Sequence, residues 1–104
     1  MSPREYRKYA EVLKSNGYKY MSDCPYEGRN RWMKYPTGKG DSVIEFDVYH
    51  GFNAECEEYY SVRPRIRISK NDCHCSVNVD ITFNTDDLAY IEGVFEKYKG
   101  VLGE

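Results

Sequence analysis

Three runs of this chain, residues 42 to 50, 59 to 68 and 75 to 83, alternate with a period of two. That pattern constrains the fold more than any other feature. A strand turns successive side chains to opposite faces, so each run has one face to bury and one to leave open. In the first run Ile44, Phe46, Val48 and His50 share the face that seeks cover, opposite Val43, Glu45, Asp47 and Tyr49. In the second, Tyr60, Val62, Pro64, Ile66 and Ile68 oppose Tyr59, Ser61, Arg63, Arg65 and Arg67, and Pro64 calls for a bulge or an edge position. The third turns Cys75, Val77, Val79, Ile81 and Phe83 inward and Ser76, Asn78, Asp80 and Thr82 outward. Two shorter strands precede these, one starting at Tyr18-Lys19-Tyr20-Met21 and one over Arg31 to Tyr35. They are separated by turn chemistry from Asp23 to Gly28 and closed by Pro36 to Asp41.

Helices bracket the strands. Ser2-Pro3-Arg4-Glu5 is a capping box with proline in the first turn, and Tyr6, Tyr9, Ala10 and Leu13 follow at the spacing of one helical face, which predicts a helix from about 3 to 15. Asn16-Gly17 supplies its left-handed stop. Asn84-Thr85-Asp86-Asp87 opens a second helix that buries Leu88, Ile91, Phe95, Tyr98 and Leu102. The order α-β-β-β-β-β-α, with short connections, favours an antiparallel five-stranded sheet. The expected fold is α+β, with both helices packed on one sheet face and the other face exposed and wet. Tyr6, Leu13, Leu88, Ile91 and Phe95 should close on Ile44, Phe46, Val62, Ile66, Val79 and Ile81. The 104 residues suit one domain, 1–104.

With 40% hydrophobic and 15% aromatic residues the chain carries too much apolar surface for a disordered tail. No stretch reaches the apolar length of a membrane span, and Met1-Ser2-Pro3-Arg4-Glu5 lacks the apolar core of a signal peptide, so a cytoplasmic protein is expected. In that compartment Cys24, Cys56, Cys73 and Cys75 read as free thiols. The net charge of −2 hides an asymmetry: residues 1 to 40 hold nine Lys/Arg against four Asp/Glu, and residues 41 to 104 hold six against thirteen. The halves, about +5 and −7, either face two partners or neutralise each other in the fold.

On the open sheet face, a simple register with Tyr49 and Tyr59 flanking the 51–57 loop sets Glu45 opposite Arg63, and a turn near Asn71 sets Arg63 opposite Asp80. The expectation is a Glu45/Arg63/Asp80 row that leaves Arg65 and Arg67 without acids. With Tyr49, Tyr59, Trp32 and Lys34 on the same face, they form an aromatic and arginine surface of the composition enriched at protein interfaces. The acidic stretch Glu55, Glu57, Glu58 is a second contact patch, suited to a basic groove of a nucleic-acid-handling protein. Eleven tyrosines point the same way, since tyrosine gives large contact area at low entropic cost.

Other chemistries find less support. Arg29-Asn30-Arg31-Trp32-Met33-Lys34-Tyr35, with Lys39, interleaves rings and cations as a single-strand-binding surface would, although a sequence pI near 5.7 is low for a binder driven by phosphate contacts. Cys73-His74-Cys75 is the one local cluster of metal-capable groups; a single residue between its thiols does not match the usual zinc spacing, and no metal or other cofactor is expected. Thr37-Gly38-Lys39-Gly40-Asp41-Ser42 resembles the tail of a phosphate-binding loop, but Met33 stands where that motif needs glycine, so the segment reads as a hairpin turn. No nucleophile, base and orienting group are spaced as a catalytic set, and a non-enzymatic chain is expected.

In size, acidity and tyrosine content the chain resembles phage-encoded inhibitors of host defence proteins, such as anti-CRISPR proteins; the resemblance carries over no residue. It implies a small protein-binding inhibitor or regulator, expected here to act through Tyr49, Tyr59, Glu55, Glu57, Glu58, Arg65 and Arg67. The alternative is a single-stranded nucleic-acid-binding domain that uses Arg29, Arg31, Trp32, Lys34, Tyr35 and Lys39. A homodimer through an edge strand or the open face is compatible with either.

Overall fold

The computed structural model describes residues 1–22, 30–36, 42–71 and 76–101. Helix α1 spans Pro3–Ser15, followed by strands β1 (Lys19–Ser22), β2 (Asn30–Lys34), β3 (Val43–Phe52), β4 (Glu58–Asn71) and β5 (Ser76–Thr82), and by helix α2 (Leu88–Val101). The strands form one antiparallel sheet in the order β1-β2-β3-β4-β5. Among the described residues no helix is long and apolar enough to cross a membrane.

Both ends of α1 are built from local sequence. Ser2 Oγ accepts the Glu5 N–H at 3.2 Å and Glu5 Oε1 accepts the Ser2 N–H at 3.4 Å, the reciprocal capping box. These bonds, the Ser2 side chain's first, hold the Glu5 carboxyl below its ordinary value. At the other end Gly17 takes a φ of 89°, while Tyr18 N–H reaches Leu13 O and Gly17 N–H reaches Lys14 O. This pair of bonds makes a Schellman stop. It turns Tyr18 back against Leu13, and both enter the core.

The core lies between the sheet and the two helices. Leu13 of α1 and Ile91 and Phe95 of α2 pack with Tyr18, Ile44, Phe46, Ile66, Ile68 and Phe83, while Val62, Val79, Ile81 and Leu88 line its margin. Phe46 is fully buried and meets the edges of Tyr9 and Tyr18, with ring centroids at 5.9 and 5.3 Å. Burying one such side chain stabilises the fold by about 1.5–3 kcal/mol. The Tyr18 hydroxyl finds Glu92 Oε1 at 3.0 Å. Leu102, expected in the same core, lies outside the described residues. Val77 was expected inward, yet at the far end of β5 it is 42% exposed.

The register corrects the expected charge row. Glu45 faces Arg65, Asp47 faces Arg63 and Asp80 faces Arg67. The pairings slide on both sides of β4. The β3–β4 loop tightens until Gly51, not Tyr49, faces Tyr59, and β4 runs on to Asn71, which faces Ser76. Both slips are even-numbered, so every side chain keeps its face. Arg65, expected to lack an acid, places Nε and Nη2 each 2.6 Å from Glu45 Oε2, and Nε 3.9 Å from Asp47.

Nor is the helix-free face wet throughout. Met33, Val43 and Glu45 point to it and are only 7%, 1% and 3% exposed. Arg31 from β2 approaches Glu45 Oε1 at 3.9 Å and donates to Met33 Sδ at 3.0 Å, so arginines from both neighbouring strands flank the buried carboxylate. Trp32 and Lys34 are absent from this face. Trp32 pairs with Phe46 and Lys34 with Ile44, which puts both on the helix side. There the Trp32 indole donates to Tyr6 Oη at 3.1 Å, and Lys34 Nζ lies 3.7 Å from Glu92 and 5.3 Å from the Tyr18 ring centroid.

Candidate functional site

Strands β3 and β4 are longer than their neighbours. Pairing of β2 with β3 stops at Val48, and pairing of β5 with β4 reaches back only to Arg65. Residues 49 to 60 therefore project as a two-stranded ribbon, consistent with extents of 53 × 31 × 23 Å. A radius of gyration of 15.3 Å, against about 13 Å for a compact chain of this length, says the same. The ribbon has a firmly built tip. Asn53 Oδ1 accepts the N–H groups of Glu55 and Glu57, both at 2.9 Å, and Asn53 N–H reaches Glu57 O. Cys56 takes the left-handed conformation that closes the loop, with φ 62°. Near the base, Met1 exchanges both backbone bonds with Tyr60, at 2.7 and 2.8 Å, and so covers part of the outer edge of β4. Below it Pro64 sits where β5 has ended, an edge position that needs no N–H, and its carbonyl accepts from Phe83.

The helix-free side of the ribbon carries Tyr49 and Tyr59, whose centroids lie 6.2 Å apart. The backbone makes room for them, because Tyr49 faces Ser61 and Tyr59 faces Gly51. A Cβ on Gly51 would stand 3.0 Å from Tyr49 Cε1, so glycine is what lets that ring lie across the strand. With Asp47, Ser61 and Arg63 the rings line a groove of about 510 Å³. The opposite side carries a stack: Tyr60 lies between Tyr6 at 4.2 Å and its cross-strand partner His50 at 4.6 Å, with Phe52 beyond. His50 Nε2 donates to Glu58 Oε1 at 2.8 Å, and Tyr60 Oη approaches the same oxygen at 3.4 Å. Burial and the adjacent Glu58 push the Tyr60 phenol up.

The expected contact residues divide. Tyr49 and Tyr59 come together, and Glu55 and Glu57 crown the tip. Glu58 turns to the other side. Arg65 is spent on Glu45, while Arg67 is exposed and well removed from the ribbon. Arg63 and Arg67, not Arg65 and Arg67, are the β4 arginines with no carboxylate in ion-pairing reach among the described residues. Phe52 and the Tyr6–Tyr60–His50 stack were not anticipated as surface. Period-two alternation marks which face a ring occupies, but not where the helix above that face ends. In the basic-aromatic segment, Arg31 lies on one face and Trp32 and Lys34 on the other, and Tyr35 is exposed past the end of β2; Arg29 and Lys39 lie outside the described residues. Cys24, Cys73, His74 and Cys75 lie outside them too, and among the described residues no three His, Cys, Asp or Glu side chains gather as a metal site.

No protein-family model matches this chain, and neither does any curated protein or solved structure. The ribbon's own geometry is therefore the ground for a functional reading.

Proposed function

We propose that this chain is a protein-binding module that works by contact, through the β3–β4 ribbon, as an inhibitor or regulator of another protein. The observation that carries the reading is the exposure of Tyr49 and Phe52, 62% and 67%, on a hairpin whose tip is held by the Asn53 bonds. Rings placed there contribute little to the core, whereas on contact they give large rigid area at low entropic cost. Residues 49 to 60 hold Glu55, Glu57 and Glu58 and no Lys or Arg, so the complementary partner surface is basic, as in a nucleic-acid-handling protein.

Direct single-strand binding by residues 29–39 has less to support it. Its rings and cations are divided between two faces, Arg31 is engaged with Glu45, and Lys34 lies beside Glu92.

The test is capture from a lysate of the native cell with the wild-type chain, with Glu57→Lys/Glu58→Lys, and with Tyr49→Ser/Phe52→Ser, each shown to be folded by circular dichroism. A partner held by the wild type should be lost from both variants. Undiminished capture by both would refute the assignment to the ribbon.

A further inference from the structure

Helix α1 leaves part of its own sheet face uncovered beside the ribbon. The resulting slot, about 420 Å³, is walled by Tyr6 of α1, Tyr20 of β1, Trp32 of β2, His50 of β3 and Tyr60 of β4, with Val48 at its floor. Five of the eight described lining residues carry rings. They stand in two groups: the Tyr6–Tyr60–His50 stack, and Tyr20 with Trp32 at 5.3 Å between centroids. The Trp32–Tyr6 hydrogen bond ties the groups together. The slot is reachable, since Tyr20 is 48% exposed and His50 lies on the surface.

We infer that this slot receives an arginine side chain from the basic partner proposed above, a deepening that rests on that reading. Ring faces attract cations, and a planar guanidinium stacks on them where a lysine ammonium cannot. Among the described residues the slot's lining contains no Lys or Arg. Glu58 stands at its edge with Oε1 taken by His50 and Tyr60, while Oε2 has no partner among the described residues and can accept a guanidinium N–H. The Met1 ammonium, a nearby cation, is taken by Tyr60 O at 2.7 Å, and the acidic ribbon tip adds Glu55 and Glu57 on the same hairpin. A nucleobase would also fit between rings, but its phosphates would meet Glu58 and the acidic tip.

The experiment measures fluorescence anisotropy of labelled hexapeptides of alternating glycine and arginine, glycine and lysine, or glycine and glutamate, with oligothymidylate as competitor. NMR follows the Trp32 indole N–H in parallel. The arginine peptide should bind more tightly than the lysine peptide and shift the indole resonance. The glutamate peptide should not bind, and oligothymidylate should not compete. Tyr20→Leu, at an exposed position, should weaken arginine binding roughly 5- to 30-fold. His50→Ala gives an independent check from the opposite wall and should weaken it too. Equal binding of arginine and lysine peptides, an unmoved indole, binding unchanged by both variants, or competition by oligothymidylate would overturn the inference. If those results came with a captured partner still lost on Glu57→Lys/Glu58→Lys, the slot would be wrong and the ribbon reading intact. Capture indifferent to the ribbon variants would remove both.

Discussion

Within β3 and β4, residues 43–48 and 62–68 lie in a sheet with neighbours on both edges or a helix above, whereas residues 49–60 of the same strands extend past β2 and β5, with Tyr6 of α1 stacked on Tyr60 at their base. In the first region aromatic and aliphatic side chains are core: Phe46, Ile44, Ile66 and Ile68 are all at most 1% exposed. In the second, side chains of similar size are surface: Tyr49, Phe52 and His50 are exposed, and Tyr59 and Tyr60 are half-buried. One alternating pattern thus serves stability where a helix covers it and is available for recognition where none does. Helix coverage, not strand pattern, separates the two uses.

The largest effect should come from the covered region. Phe46→Ala opens a cavity where Tyr9, Tyr18 and the helices meet, and should cost roughly 3–5 kcal/mol in urea unfolding. A loss near that of a surface substitution would erase the distinction between the regions. Arg65→Met takes the 2.6 Å contacts from the buried Glu45 carboxylate, which Arg31 approaches at 3.9 Å, and should cost roughly 1–3 kcal/mol; part of the arginine is solvated, which keeps the figure below that for a fully buried pair. Replacing both partners, Glu45→Leu with Arg65→Leu, should recover much of that loss.

A pH titration sharpens the same contrast. Tyr18 is pushed well above the ordinary tyrosine value of 10.0, first by burial and then by Glu92, and Tyr9 is raised by burial and by Asp86 and Asp87. Because both phenols lose protons more readily in the unfolded chain, their contribution is complete below pH 10 and declines as pH rises above it. Unfolding midpoints should fall above pH 10, and Tyr18→Phe should flatten that fall. A fall left unchanged by Tyr18→Phe would mean that Tyr18 is not desolvated as described.

Much of this was legible in the residues themselves. The capping box at Ser2, the stop at Gly17 and the face of each of Ile44, Phe46, Ile66 and Val79 follow from local chemistry and a strict period, and they appear in the structure as read. Register was not legible, because it depends on where a turn closes. The Asn53 turn and the continuation of β4 to Asn71 moved the pairings by two and four residues, sparing the faces but exchanging Arg63 with Arg65 in the charge row. The aromatic slot was hidden for a related reason. Tyr6, Tyr20, Trp32, His50 and Tyr60 come from five elements, and only tertiary packing brings them together.

The smallest expected change in stability belongs to the ribbon, and with it the most direct test of the account. Tyr49→Ser/Phe52→Ser should shift unfolding free energy by no more than about 0.5 kcal/mol per site, the range of surface substitutions. Measured on that folded variant, capture of the protein that the wild-type chain retains from its native lysate should be abolished. Capture at the wild-type level by the intact variant would contradict the claim that these exposed rings are the means by which the protein engages its partner.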